Sequence, residues 1–76
     1  MEAYVLVKAE AGKVREVLND IQEIPSVLSV KALSGPTDII VHVQAADHRE
    51  LAELVLSRLH TIEGIRETDT RYVVEV

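Results

Sequence analysis

The 76-residue chain contains no cysteine, phenylalanine or tryptophan, and only three glycines and two prolines. Without cysteine it has neither a disulfide framework nor a thiol nucleophile, and no residues at metal-ligand spacing replace them, so neither metal nor cofactor is expected. A single core at this length rarely leaves more than about 3–5 kcal/mol of net stability, which leaves oligomerisation as the outside support. Basic clusters are also missing: 8 Lys and Arg stand against 13 Asp and Glu, a formal charge of −5. Phosphate backbones are held largely by Lys and Arg, so direct contact with nucleic acid is not expected. No apolar run approaches the roughly 20 residues of a membrane span. The start MEAYVLVKAE lacks the basic segment, long apolar stretch and cleavage site of a signal peptide. The expectation is a soluble cytoplasmic protein with one domain over residues 1–76.

What is present is regular patterning. Ala3 to Ala9 is rich in strand formers and runs into Glu10-Ala11-Gly12. Val14, Val17, Leu18, Ile21 and Ile24 recur at helical spacing, and Pro25 stops that helix, which spans Lys13 to about Glu23. Ser26 to Ser34 reads as a second strand, with Leu28, Val30 and Ala32 on one side and Val27 and Leu33 on the other. Asp38 to Ala45 alternates clearly, Ile39, Val41, Val43 and Ala45 against Ile40, His42 and Gln44, so strands two and three form a hairpin. Asp47 to Glu50 is an acidic form of the capping box and opens a second helix with the stripe Leu51, Leu54, Val55, Leu59 and Ile62. Gly64 fits the left-handed residue beyond its end. Ile65 to Val76 closes the chain as a fourth strand, strongest over Tyr72 to Val76.

The order β-α-β-β-α-β is the α+β, ferredoxin-like plan: two helices on one face of a four-stranded antiparallel sheet. The other face stays uncovered and carries Tyr4, Leu6, Leu33, Ile40 and Val73. A contiguous apolar patch of that kind is unusual on a monomer, so a sheet-to-sheet dimer through these residues is expected.

Few residues offer chemistry. His42, His48 and His60 lie on different elements with no zinc-like spacing, and the serines sit in no nucleophile elbow or triad context. Glu16, Asp20 and Glu23 fall on the polar side of the first helix. Glu50 and Glu53 fall in the first turns of the second, where its dipole favours them. Glu67, Asp69 and Glu75 keep one side of the last strand wet. The remaining candidate is Ser34-Gly35-Pro36-Thr37-Asp38. As a turn, Gly35 supplies a backbone shape other residues avoid, Pro36 presets φ, and Asp38 bonds to nearby N–H groups. As a binding loop, the N–H groups around Gly35 and Thr37 take a carboxylate while Asp38 meets an ammonium, the two charges of a free amino acid. Spacing alone favours the turn.

The run from Val27 to Val43 with Gly35 and Asp38, followed by Asp47 and by Gly64-Ile65-Arg66-Glu67-Thr68-Asp69-Thr70, resembles the C-terminal effector domain of Lrp/AsnC transcription regulators. The shared pattern is G-x-x-D between strands, an acidic helix start and Gly-hydrophobic-x-x-T-x-T, in order over nearly the whole chain. The resemblance implies a ferredoxin-like domain, no enzymatic activity, dimers that join into larger rings, and an effector, usually an amino acid, bound between dimers at the G-x-x-D loop. Carried over by position, Gly35, Pro36, Thr37 and Asp38 line that site, with Thr68 and Thr70 as further polar contacts. Thr37 and Ala32 stand where the family often has aromatic or bulky residues, which alters the shape of the pocket. The regulators carry an N-terminal helix-turn-helix, whereas this chain begins on strand one and reads as a stand-alone regulatory domain.

The resulting expectation is a self-assembling module that senses an amino acid or similar metabolite and acts through protein contacts, with a full-length regulator of the same family as a candidate partner. Two rivals use the same topology: a purely structural oligomer, and a small dimeric α+β-barrel enzyme, which the aliphatic interior disfavours. An ACT-type amino-acid-binding domain is closer in architecture, but its glycine after strand one, here Gly12, fits less well than G-x-x-D with T-x-T.

Overall fold

Strict alternation along the first strand decides where the core lies. In the computed structural model, which describes residues 1–35 and 37–76, β1 (Glu2–Ala9) buries Ala3, Val5, Val7 and Ala9 and turns Glu2, Tyr4, Leu6 and Lys8 to the other side. β3 (Ile39–Gln44) repeats this with Ile39, Val41 and Val43 buried. The sheet order is β2-β3-β1-β4, all neighbours antiparallel, with β2 (Val27–Ala32) and β4 (Ile65–Tyr72) at the edges. α1 (Val14–Gln22) and α2 (His48–Glu53) bring Val17, Ile21 and Leu51 onto the buried face. Among the described residues this core holds no polar or charged side chain. The ferredoxin-like plan read from the pattern is the plan observed.

The cap of α2 forms as its residues require: Asp47 Oδ1 accepts from the Glu50 N–H at 2.9 Å. The helix then departs from the single α-helix expected. Leu54–Leu59 is π-helical, closed by a bond from the His60 N–H to Val55 O. The wider turn brings residues five apart closer to one face, and Leu54 and Leu59 are both buried. Gly64 has φ +100, and a Cβ there would meet Val17 Cγ2 at 2.9 Å. Both the turn and the close packing on α1 therefore require glycine.

Two expectations are corrected. Alternation placed Val27 and Val30 on opposite sides of β2, but a register shift between Val27 and Ser29 inserts one residue, and both pack on the core while Leu28 is 52% exposed. The fourth strand was expected to be strongest over Tyr72 to Val76, yet β4 ends at Tyr72. Val73 donates its N–H to Glu2 O, the first residue of β1, and among the described residues no strand lies beside the chain beyond it. Strand-forming side chains without a ladder partner do not make a strand.

Candidate ligand-binding site

The uncovered side of the sheet is a mixed surface. Tyr4 is exposed and Leu6 and Ile40 half-buried on it, and Leu33 and Val73 are exposed just beyond the ends of β2 and β4. Around them stand charge pairs: His42 Nε2 with Glu2 Oε1 at 2.6 Å, Lys8 Nζ with Glu67 Oε2 at 3.6 Å, and Arg71 with Asp69. The His42 ring stacks on Tyr4 with centroids 4.5 Å apart. His48 packs edge-on against Tyr72, and His60 bonds Thr68 Oγ1 at 2.7 Å, so the three histidines make separate contacts.

The β2–β3 connection is anchored at both ends. Leu33 donates its N–H to Asp38 O at 2.7 Å, closing the hairpin, and Asp38 donates its own N–H to Val7 O at 3.2 Å. One carboxylate oxygen of Asp38 accepts the Ala9 N–H at 2.8 Å. Asp38 thereby ties the loop to the end of β1, the backbone role a turn aspartate commonly takes. Gly35 has φ +121 with open space around it, so the turn itself selects glycine. Pro36 lies outside the described residues.

The expected site residues do not all converge. Thr37 and Thr68 line one open depression of about 250 Å3, together with Leu6, Lys8, Glu67 and Asp69. Thr70 is in register with buried Val5, and Thr68 with buried Val7. The Thr68 hydroxyl is engaged by His60. Lys8, Glu67 and Asp69 were not singled out as ligand residues. Their alternation is visible in the sequence, but the register that puts Lys8 opposite Glu67 and Leu6 opposite Asp69 is set by long-range pairing of β1 with β4. The Arg71 guanidinium donates to both oxygens of Asp69, at 3.2, 3.1 and 2.9 Å, and holds its carboxyl below the usual carboxylate value. A larger depression of about 450 Å3 between α1 and β2, lined by Val14, Arg15, Leu18, Asn19 and Ala32, has Arg15 as its one charged residue.

The sequence model of the Lrp/AsnC ligand binding domain matches residues 2–76. The chain belongs to that family. An uncharacterised HTH-type transcriptional regulator of Pyrococcus abyssi is 32% identical over 74 residues, 97% of this chain and 47% of the regulator. The Lrp/AsnC-type domain thus spans about half the length of the curated relatives it matches. Among solved structures, TTHA0845 from Thermus thermophilus superposes with a TM-score of 0.93 at 28% identity, covering 99% of this chain and 94% of that one. The transcriptional regulator NMB0573 from Neisseria meningitidis, solved as its L-Met complex, superposes with a TM-score of 0.87 at 26% identity, covering 97% of this chain and 49% of that one. No helix of the described residues is long and apolar enough to cross a membrane.

Proposed function

We propose that this Lrp/AsnC-type domain binds an amino acid or similar small metabolite at the G-x-x-D end of its sheet, self-associates through the open sheet face, and transmits ligand binding through protein contacts. The observation that carries this reading is that Thr37, from the G-x-x-D loop, and Thr68, from the Thr-x-Thr segment, wall one depression. The two segments that define the family resemblance thus meet in space at a surface with charges of both signs. The L-Met complex of the Neisseria regulator supports an amino acid as the ligand class. Membership of a regulator family points to a non-enzymatic role.

In this reading Asp38 acts through the loop it anchors. Tyr4, Leu6, Leu33, Ile40 and Val73 form the dimer face, since uncovered aliphatic and aromatic side chains on one sheet match those of a second copy. Dimers join further around the depressions, placing the ligand between them. A full-length regulator carrying the same domain is the partner class, through mixed pairing of related sheet faces; co-expression with such a regulator yields a mixed species if this holds.

Thermal unfolding against a panel of amino acids, at one fixed protein concentration, tests the reading. A ligand at about a hundred times its Kd adds roughly 2.7 kcal/mol per site, several degrees or more for a domain this small. A selective shift is the expected result; a flat panel rejects amino-acid sensing.

A further inference from the structure

Residues paired across neighbouring strands point to the same side of a sheet, so the open face is organised in rows. The strand registers align Lys31 on β2, Ile40 on β3, Leu6 on β1 and Asp69 on β4 in one row. Ser29, His42, Tyr4 and Arg71 make up the row beside it. The first row therefore has a cation at one rim, an anion at the other and two aliphatic side chains between them. Lys31 is exposed, and none of the ion pairs among the described residues includes it. β2 itself carries no Asp or Glu. Asp69 accepts from Arg71 with both oxygens, but a carboxylate has acceptor sites to spare for a further donor.

Two copies stacked face to face with their strands aligned are related by a dyad that runs either along the strands or across them. A dyad along the strands reverses each row. Ile40 then meets Leu6 of the second copy at the centre, and Lys31 meets Asp69 of the second copy at both rims. The neighbouring row sets His42 against Tyr4 and Arg71 against Ser29, with no like charges opposed. A dyad across the strands instead lays β2 on β2, where Lys31 finds no carboxylate.

We propose that the open face pairs with a second copy about a dyad along the strands, with Lys31 of each copy bound to Asp69 of the other on either side of an Ile40 and Leu6 centre. The twist between packed sheets offsets the rims by a few ångströms, a distance the flexible lysine stem spans. Such rim pairs fix orientation and choice of partner more than they add affinity. A regulator joining in a mixed pair must then offer a cation in the place of Lys31 and an acid in the place of Asp69. This inference rests on the self-association read above and specifies its geometry.

Sedimentation equilibrium of the intact protein over a range of concentrations tests it. The samples are wild type, Lys31→Glu, Asp69→Lys, the double variant and an equimolar mixture of the two single variants, with Ile40→Lys marking the open face. Both charged positions are exposed in the single chain, and circular dichroism checks that each variant is folded. The wild type is expected to associate and Ile40→Lys to lose that association. Each single reversal opposes like charges at both rims and weakens dimerisation about ten- to a hundredfold at low salt, an effect that added salt reduces. The double variant recovers. So does the mixture, because pairing one single variant with the other restores opposite charges at each rim, a repair that a damaged fold would not show. Dimerisation at wild-type strength in both single variants, or a loss that mixing does not repair, overturns the pairing of Lys31 with Asp69 while leaving the sheet-face dimer in place. A wild type that stays monomeric, or that associates no better than Ile40→Lys, overturns the sheet-face reading and this inference with it.

Discussion

Ile39 and Ile40 are chemically identical neighbours on β3 with opposite fates. Ile39 is fully buried among Val7, Val17 and the rest of the core, while Ile40 is half-buried beside Leu6 on the open face. The strand period of two makes the difference, and the two faces it creates have different tasks. The buried core under the helices is wholly apolar among the described residues and holds the monomer together. The open face mixes Tyr4, Leu6 and Ile40 with the pairs Glu2–His42, Lys8–Glu67 and Asp69–Arg71. Such a surface contributes less to folding and leaves side chains free for recognition.

The comparison breaks most visibly at these two residues. Ile39→Ala is expected to cost about 2–5 kcal/mol through lost burial and the cavity left behind, which is most or all of the stability of a domain this small. Ile40→Ala is expected to cost less, about 1–2 kcal/mol in the dissociated chain, because no second layer covers its side of the sheet and part of its surface is already wet. Denaturant titrations of both variants measure the contrast, and equal costs would mean that the open face is as structural as the covered one. Ile40→Lys adds a second readout: if the open face pairs two copies, it removes the dependence of the unfolding midpoint on protein concentration.

Gly64→Ala comes next, at about 1–3 kcal/mol, combining a positive φ with a Cβ driven into Val17. Denaturation midpoints read this directly, and a neutral outcome would show that the α2-to-β4 connection relaxes away from α1. Gly64 was legible in the sequence because a glycine after an apolar helical stripe is a local signal. The same holds for the alternation of β1 and β3, the cap at Asp47 and the stop at Pro25, each decided within a few residues. What stayed hidden depends on pairing between distant segments. The extra residue in β2 that turns Val27 onto the face of Val30 is a property of its register against β3. The π-helical turn answers to where Leu54 and Leu59 must land on the sheet. Within the candidate site, the loop and its glycine could be read locally, whereas Lys8 meets Glu67 through strand pairing, and the bond from the Ala9 N–H to the Asp38 carboxylate joins residues far apart in sequence.

Asp38 gives a smaller and more diagnostic effect. Asp38→Ala removes the acceptor of the Ala9 N–H at a partly accessible position, where water replaces much of the bond, so a loss of about 1 kcal/mol is expected. Asp38→Asn keeps an oxygen acceptor and should recover part of it. If the carboxylate works by anchoring the loop, hydrogen exchange at the Ala9 amide accelerates in the alanine variant and ligand affinity falls with loop order. Unchanged exchange at Ala9 would instead assign the carboxylate to another task.

The smallest effect concerns the open face alone. The guanidinium of Arg71 stabilises the Asp69 carboxylate chiefly by hydrogen bonding and lowers its pKa, and Asp69 in turn raises that of Arg71. A depressed carboxylate pKa in the folded state contributes above the unfolded value and is lost as pH falls through the folded value, so any effect of this pair is confined to acid. Both side chains are largely exposed, at 69% and 55%, and solvent screens their attraction. Arg71→Gln should therefore return the Asp69 titration, followed by carboxyl NMR, toward the ordinary range while leaving the neutral-pH unfolding midpoint of the dissociated chain nearly unchanged. Had the pair lain on the covered face, breaking it would leave a charge in apolar surroundings and unfold the domain. A large loss of stability in Arg71→Gln at neutral pH would thus mean that Asp69 and Arg71 are buried in the working assembly, extending the contact surface to β4. Titration without destabilisation would confine that contact to the Tyr4, Leu6 and Ile40 centre of the sheet.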